Sequence, residues 1–213
     1  MSHDAGTRHT AEEALARLRE GNARFVRGEA RFPTVQKEVL AALAKGQQPY
    51  ATVLGCSDSR VPPELIFDAG FGELFIVRLA GNVLSPEVAG SLQYAGTHLK
   101  TPLFVVLGHE GCGAVAAALQ TLRQGAREHR YIDALLQNIL PALDGLDPHL
   151  PPQEQLRAAV EANVRWTLHR ILQTPEARAR EAEGVMRLVG AVYDLATGGV
   201  RFLGPPHRAG EPD

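Results

Sequence analysis

Cysteine is nearly absent: the 213 residues include only Cys56 and Cys112. That excludes a disulfide-stapled secreted scaffold, which needs several bridges. In a reducing compartment, two cysteines are better read as a metal-binding or catalytic pair. The lack of any Cys-x-x-Cys weighs against a redox disulfide between them. Charge imbalance is missing as well. With 22 basic and 24 acidic residues the formal net charge is −2, so nothing argues for nucleic acid or a strongly anionic membrane as partner. No apolar run is long enough to cross a bilayer, and the opening Met1-Ser2-His3-Asp4-Ala5-Gly6 has no apolar h-region. The expected location is the cytoplasm. Aromatic residues are few, at 6%, with Trp166 the single tryptophan, while 45% hydrophobic and 22% charged residues are ordinary for a globular chain. The length suits one domain with a substantial core.

What is present is an alternation of apolar runs and amphipathic segments. Thr10 and Glu13 form a capping-box pattern. It opens a helix with Leu15, Leu18, Asn22, Phe25 and Val26 at helical spacing, ending near Gly28. A second helix is expected from about Thr34 to Lys45. Strand-like runs follow at 50–55, 73–78, 102–108 and 185–193, with a last one at 200–203 after the hairpin turn Ala196-Thr197-Gly198-Gly199. Between them, Pro62-Pro63-Glu64 opens a helical turn through Phe67. Ser85-Pro86-Glu87 is a strong helix start for a segment running to about Leu99. Further helices are expected from near Cys112 to Arg123, over Tyr131–Leu143, over 153–172 and over 175–182. Strands that are apolar throughout and alternate with helices predict an α/β fold. Its sheet is mostly parallel, with four strands plus an antiparallel edge strand and helices on both faces. Residues 1–9 are expected to be disordered, 10–203 to form a single domain, and 204–213 to be a mobile tail. The amphipathic N-terminal helices must cover either their own sheet or a partner subunit.

Two short stretches carry the chemistry. Cys56-Ser57-Asp58-Ser59-Arg60 follows the first strand-like run, and His109-Glu110-Gly111-Cys112-Gly113 follows the third. In parallel sheets, sites form beyond the carboxyl ends of strands, and neighbouring strands lie about 5 Å apart. Two thiolates and one imidazole make the three-protein-ligand set of catalytic zinc, leaving a fourth position for water. The competing reading is two unrelated buried cysteines and an ordinary histidine; the shared placement at strand ends favours a metal site. Asp58 and Arg60 are alternate residues, so in an extended loop they project to the same side as Cys56. A carboxylate there can orient a water, and Arg60 would keep it ionised. Without the ligands, the pair would read as a loop salt bridge. Gly108, Gly111 and Gly113 permit close backbone approach around the site.

These residues resemble the β-class carbonic anhydrases. The likeness covers residues 56–82 (CSDSRVPPELIFDAGFGELFIVRLAGN), 91–115 (SLQYAGTHLKTPLFVVLGHEGCGAV), 190–203 (GAVYDLATGGVRFL) and Leu18–Phe25, so it extends over roughly 10–203. It implies reversible hydration of carbon dioxide to bicarbonate and a proton. It also implies one Zn2+ per chain held by Cys56, His109 and Cys112. Asp58 would pair with Arg60 in the open form of the family; in the closed form the matching Asp takes the place of water. By the same resemblance, Gln47, Phe75 and Tyr94 line the substrate pocket; read alone, the two aromatics are core residues and Gln47 a loop residue. The family forms dimers in which N-terminal helices embrace the partner, which implies a homodimer or a dimer of dimers here. Some bacterial members mark an inhibitory bicarbonate site with Trp three residues before the first Cys; Val53 stands there, so no such regulation is expected. His98, His129, His149 and His207 are candidates for carrying the proton. Rival readings are hydrolysis of carbon disulfide or carbonyl sulfide on the same scaffold, a zinc-stabilised binding protein without catalysis, and a zinc-storage or redox module.

Overall fold

Apolar side chains alternate between the two faces of the central strands, and that alternation sets the architecture. The computed structural model describes residues 9–31, 37–125 and 127–204. Its strands are β1 (Ala51–Gly55), β2 (Leu74–Arg78), β3 (Leu103–His109), β4 (Arg187–Tyr193) and β5 (Val200–Phe202). They form one sheet in the order β2-β1-β3-β4-β5. The β1–β2, β1–β3 and β3–β4 pairs are parallel, and β5 runs antiparallel to β4. Leu103, Val105 and Leu107 of β3 point to one face together with Val53 of β1. Phe104 and Val106 point to the other with Leu54. Each face must therefore be covered, and each is.

Helices α1 (Ala11–Val26) and α3 (Pro63–Ile66) cover the first face. The capping box is present: Glu13 N–H donates to Thr10 Oγ1 at 3.2 Å, and Thr10 N–H donates to Glu13 Oε2 at 2.7 Å. Ala14, Leu15 and Leu18 are buried against the chain's own sheet. Asn22, polar within that stripe, ties α1 down. Its Nδ2 donates to the carbonyls of Ile66 and Gly198, and its Oδ1 accepts from Val200 N–H. Val26, also expected on the buried stripe, is instead 49% exposed. Helix α2 (Lys37–Leu43) keeps Val39 and Leu40 exposed.

The second face is covered by α4 (Pro86–Tyr94), α5 (Gly113–Gln124), α6 (Arg130–Leu136), α7 (Pro152–Leu172) and α8 (Pro175–Ala182). Helix α7 lies very close to the sheet. A Cβ on Gly108 would meet Val164 Cγ2 at 2.6 Å, and one on Gly190 would meet the same side chain at 2.9 Å.

Three expectations change. The segment from Pro86 is α-helical only to Tyr94 and continues as one π turn, Ala95–Leu99, closed by Lys100 at φ 55°. The Ala95 carbonyl accepts the Lys100 N–H that closes the wider turn and also the Thr101 N–H at 3.3 Å, which turns the chain into β3. Tyr131–Leu143 is not one helix: α6 stops at Leu136, and a separate 3-10 turn spans Leu140–Leu143. Pro141 has no N–H to continue the ladder, and Asn138 O instead accepts from Trp166 Nε1 at 3.1 Å. His109 lies not past the third strand but at its last position, paired with Tyr193.

The other expected elements are found within a residue or two, except the start of the second helix, whose residues 32–36 lie outside the described ones. So do 1–8 and 205–213, including His207 and almost all of both expected flexible ends. His9 packs edge-on against Tyr50. Among the described residues, no helix is long and apolar enough to cross a membrane.

Gly21 marks where α1 touches α3: a Cβ there would lie 1.8 Å from Phe67 O, a backbone atom. Gly21→Ala should therefore push α1 off the sheet and destabilise the fold by about 3 kcal/mol. A urea midpoint equal to that of the parent chain would contradict this packing.

Candidate metal centre

Because β1 and β3 pair in parallel with Gly55 opposite Leu107, the residue after β1 and the last residue of β3 emerge close together at the carboxyl edge of the sheet. Cys56 is the residue after β1, and His109 ends β3. Gly111, at φ 64°, turns the chain back, and Cys112 becomes the residue that caps α5. All three side chains are buried, at 5%, 0% and 1% exposure. Their ligand atoms lie within 4.8 Å of one another.

The donor chemistry fits a soft divalent ion such as zinc. Cys56 Sγ and Cys112 Sγ are 4.0 Å apart, far beyond the ~2.05 Å of a disulfide. Two ~2.3 Å zinc–sulfur bonds at a tetrahedral angle place the sulfurs about 3.8 Å apart. His109 Nδ1 lies 3.0 Å from Glu110 O. A carbonyl only accepts, so Nδ1 carries the proton and Nε2 presents its lone pair. That Nε2 is buried and has no hydrogen-bond partner, as a ligand atom would be without its ion.

The two thiols oppose each other in charge. The contact with the Cys112 thiol, joined by the backbone at Asp58 and Gly81, outweighs burial and pulls Cys56 down to about 4. Cys112 is pushed up in turn, because its proton is held on the Cys56 sulfur and because it is buried. Alone, the pair holds one negative charge; a divalent cation lets both sulfurs ionise.

Asp58 stands beside this cluster, its Oδ2 3.9 Å from His109 Nε2. Arg60 binds it with both arms, Nε to Oδ1 at 2.9 Å and Nη2 to Oδ2 at 2.7 Å, and Arg60 N–H adds a third bond to Oδ1 at 3.0 Å. These bonds hold the carboxyl well below the usual carboxylate range. Sequence reasoning missed Arg78. At the end of β2, opposite Gly55, it donates to the carbonyls of Cys56 and Asp58 and so fixes the loop between them. The available signal was a cation closing an otherwise apolar strand.

Of the expected pocket residues, Phe75 and Tyr94 come together, with ring centroids 6.2 Å apart. Tyr94 stays 47% exposed. Gln47 lies exposed in the loop before β1, and its side chain makes no hydrogen bond within the described residues. Of the histidines considered as proton carriers, His98 packs at a tilt against Tyr94, with ring centroids 4.8 Å apart. His129 precedes α6 and His149 lies in the loop before α7.

Residues 51–200 match the sequence model of the carbonic anhydrase family. The carbonic anhydrase of Mycolicibacterium smegmatis is 40% identical over 187 residues, which cover 87% of this chain and 89% of the relative. Carbonic anhydrase 2 of Mycobacterium tuberculosis is 38% identical, with 85% and 87% covered. Among solved structures, a tetrameric β-carbonic anhydrase of Sordaria macrospora aligns with a TM-score of 0.73 at 26% identity, covering 87% of this chain and 94% of its own. A β-carbonic anhydrase of Aspergillus fumigatus aligns with a TM-score of 0.71 at 29% identity, covering 92% of each chain. The chain belongs to the β-class carbonic anhydrases. Zinc-dependent hydration of carbon dioxide is the reaction of that family, and the Cys-His-Cys cluster at the ends of β1 and β3 supplies a matching donor set.

The charge sharing between the sulfurs has a measurable consequence. In metal-free protein, ultraviolet thiolate absorbance should show one thiolate per chain, lost only as pH falls through about 4. The second should stay protonated well above the ordinary thiol range. Two independent titrations near the ordinary cysteine value of about 8.5 would contradict the geometry.

Proposed function

We propose that one zinc ion per chain is held by Cys56 Sγ, His109 Nε2 and Cys112 Sγ, and that Asp58 and Arg60 serve carbon dioxide hydration beside it. The observation that carries this reading is the convergence of three buried donor atoms within 4.8 Å of one another, with Nε2 unpartnered. When bound, the metal supplies a Lewis acid that makes water a nucleophile near neutral pH. Asp58 is the group that orients this water. Its carboxylate is held ionised by the two-armed contact with Arg60, so at neutral pH it accepts hydrogen bonds and does not donate. Arg60 also fixes the carboxylate plane, leaving its free lone pairs to meet the water. Arg78 holds the backbone on which both Cys56 and Asp58 are mounted.

Phe75 and Tyr94 offer an apolar wall suited to an uncharged linear substrate. Gln47 would add an amide donor for a substrate oxygen, supplied by a second subunit because it is not joined to those rings within one chain. Exposed Val26, Val39 and Leu40 on the N-terminal helices support a homodimer or a dimer of dimers. Two ligand thiols that must stay reduced are consistent with a cytoplasmic location. His98, exposed and packed at a tilt against Tyr94, is the best-placed proton carrier between the pocket and solvent.

Stopped-flow carbon dioxide hydration with a pH indicator, run beside zinc analysis, tests the roles together. The parent chain should hold about one zinc and hydrate carbon dioxide, while Asp58→Ala should keep its zinc and lose about 10²-fold or more of the rate. No rate above buffer for the zinc-loaded parent would end the enzymatic reading. Zinc lost from Asp58→Ala would make Asp58 chiefly a ligand.

His98→Ala should lower kcat in dilute buffer but leave kcat/KM intact, with recovery on adding an imidazole buffer. An unchanged kcat in dilute buffer would remove His98 from the proton route.

A further inference from the structure

Helix α7 carries a polar residue where its packing asks for an apolar one. Asn163 is fully buried, between Val160 and Val164, on the face that lies against the sheet. A buried amide is costly unless it is used. Its Nδ2 donates to Gly81 O at 2.8 Å. Because a carbonyl only accepts, the nitrogen end of the amide must face Gly81. Gly81 in turn donates its N–H to Cys56 Sγ at 3.3 Å. One residue is thus gripped at its oxygen by α7 and directs its nitrogen at a ligand sulfur.

The turn cannot hold this orientation unaided. Gly81 sits at φ 70°, ψ 16° inside the 3-10 turn Ala80–Asn82, in the left-handed region that glycine enters freely. A side chain there is barred, since a Cβ would lie 2.8 Å from Ile139 Cδ1. The position therefore requires the most flexible residue at the point where direction matters. The hydrogen bond from Asn163 restrains it. Asn163 Oδ1 and Asn82 Nδ2, an acceptor and a donor, are both buried without partners.

We infer that Asn163 is a positioning residue for the metal ligand Cys56: by fixing the Gly81 peptide it keeps an N–H on the sulfur and so sets how strongly that sulfur donates to the ion. The inference rests on the reading of Cys56 as a zinc ligand given above. A hydrogen bond to a thiolate draws electron density from it, so losing the bond makes the sulfur a stronger but less well-directed donor. Partners of this outer kind are worth about 10–100-fold in metal affinity.

The test uses cobalt(II) in place of zinc, whose thiolate-to-cobalt charge-transfer band reports the sulfur directly. Asn163→Leu keeps the branched outline, though with bulkier ends, and removes the donor; it should shift that band and weaken zinc binding about 10–100-fold in a chelator competition. Val164→Ala is the packing control, expected to lower thermal stability without moving the band. A band position and zinc affinity in Asn163→Leu equal to the parent's would reduce Asn163 to packing and overturn the inference. Should Asn163→Leu fail to fold, Asn163→Ser replaces it, and the parent protein loaded with NMR-active cadmium gives an independent reading. There, the Gly81 amide proton should couple to the metal through the Cys56 sulfur, and its lack of coupling overturns the inference as well. Failure of the underlying reading looks different: the parent itself would then show no thiolate-to-cobalt band at all.

Discussion

Two buried sulfurs 4.0 Å apart cannot both be charged in an apolar interior unless a cation lies between them. Much of the site follows from resolving that conflict. The sulfurs meet because β1 and β3 pair in parallel and the turn after β3 brings Cys112, the cap of α5, back beside Cys56. The imidazole between them is already set in the right tautomer, because Glu110 O takes its other proton. The same carboxyl ends bring in positive charge: Arg60 on Asp58, and Arg78 on the carbonyls of Cys56 and Asp58. The centre is a negative donor set inside a cationic frame, suited to a divalent ion and a water-derived anion.

Asp58 shows how one loop separates two tasks. Cys56 faces inward and is 5% exposed, whereas the Asp58 side chain keeps 18% of its surface open. The expected extended loop is instead a turn, closed by Val61 N–H on Asp58 O at 3.0 Å, and the two residues sit at its entrance at different depths. The buried residue joins the buried donor cluster; the partly buried one stays ionised through an exposed arginine. Arg60 costs little to keep charged because it reaches water, and the pair's value lies in geometry more than in stability.

Much of this was legible in the chain. The juxtaposition of Cys56, His109 and Cys112 could be read from strand-like runs followed at once by Cys56 and His109; Asp58 and Arg60 do meet, though through a turn and not through the expected extended loop. The helix start at Ser85-Pro86 was explicit because caps are local chemistry; Ser85 Oγ accepts from Val88 N–H as its residue type foretells. What was not legible is tertiary. Arg78 gains its meaning only when β2 pairs with β1, and Asn163 only when α7 docks over the turn at Gly81. Asn163 did leave a trace, a polar residue on the buried side of an apolar stripe, as Asn22 does on α1. The π turn after Tyr94 was hidden for another reason: Val88, Leu92 and Ala95 keep helical spacing up to it, and the spacing does not reveal how the ladder closes.

The position of α7 has a consequence in time as well as in space. Cys56, His109 and Cys112 all belong to the first part of the chain, whereas the helix that steadies the Cys56 turn spans Pro152–Leu172 and β4 begins only at Arg187. A ribosome thus delivers the metal-binding atoms before the element that aims them, and β3 must wait for a neighbour about 80 residues downstream (a long closure, of the kind that slows parallel sheets). Two thiols on an emerging chain are open to oxidation and to the wrong metals. The donor cluster therefore reaches its aimed form only once the C-terminal half of the chain has docked.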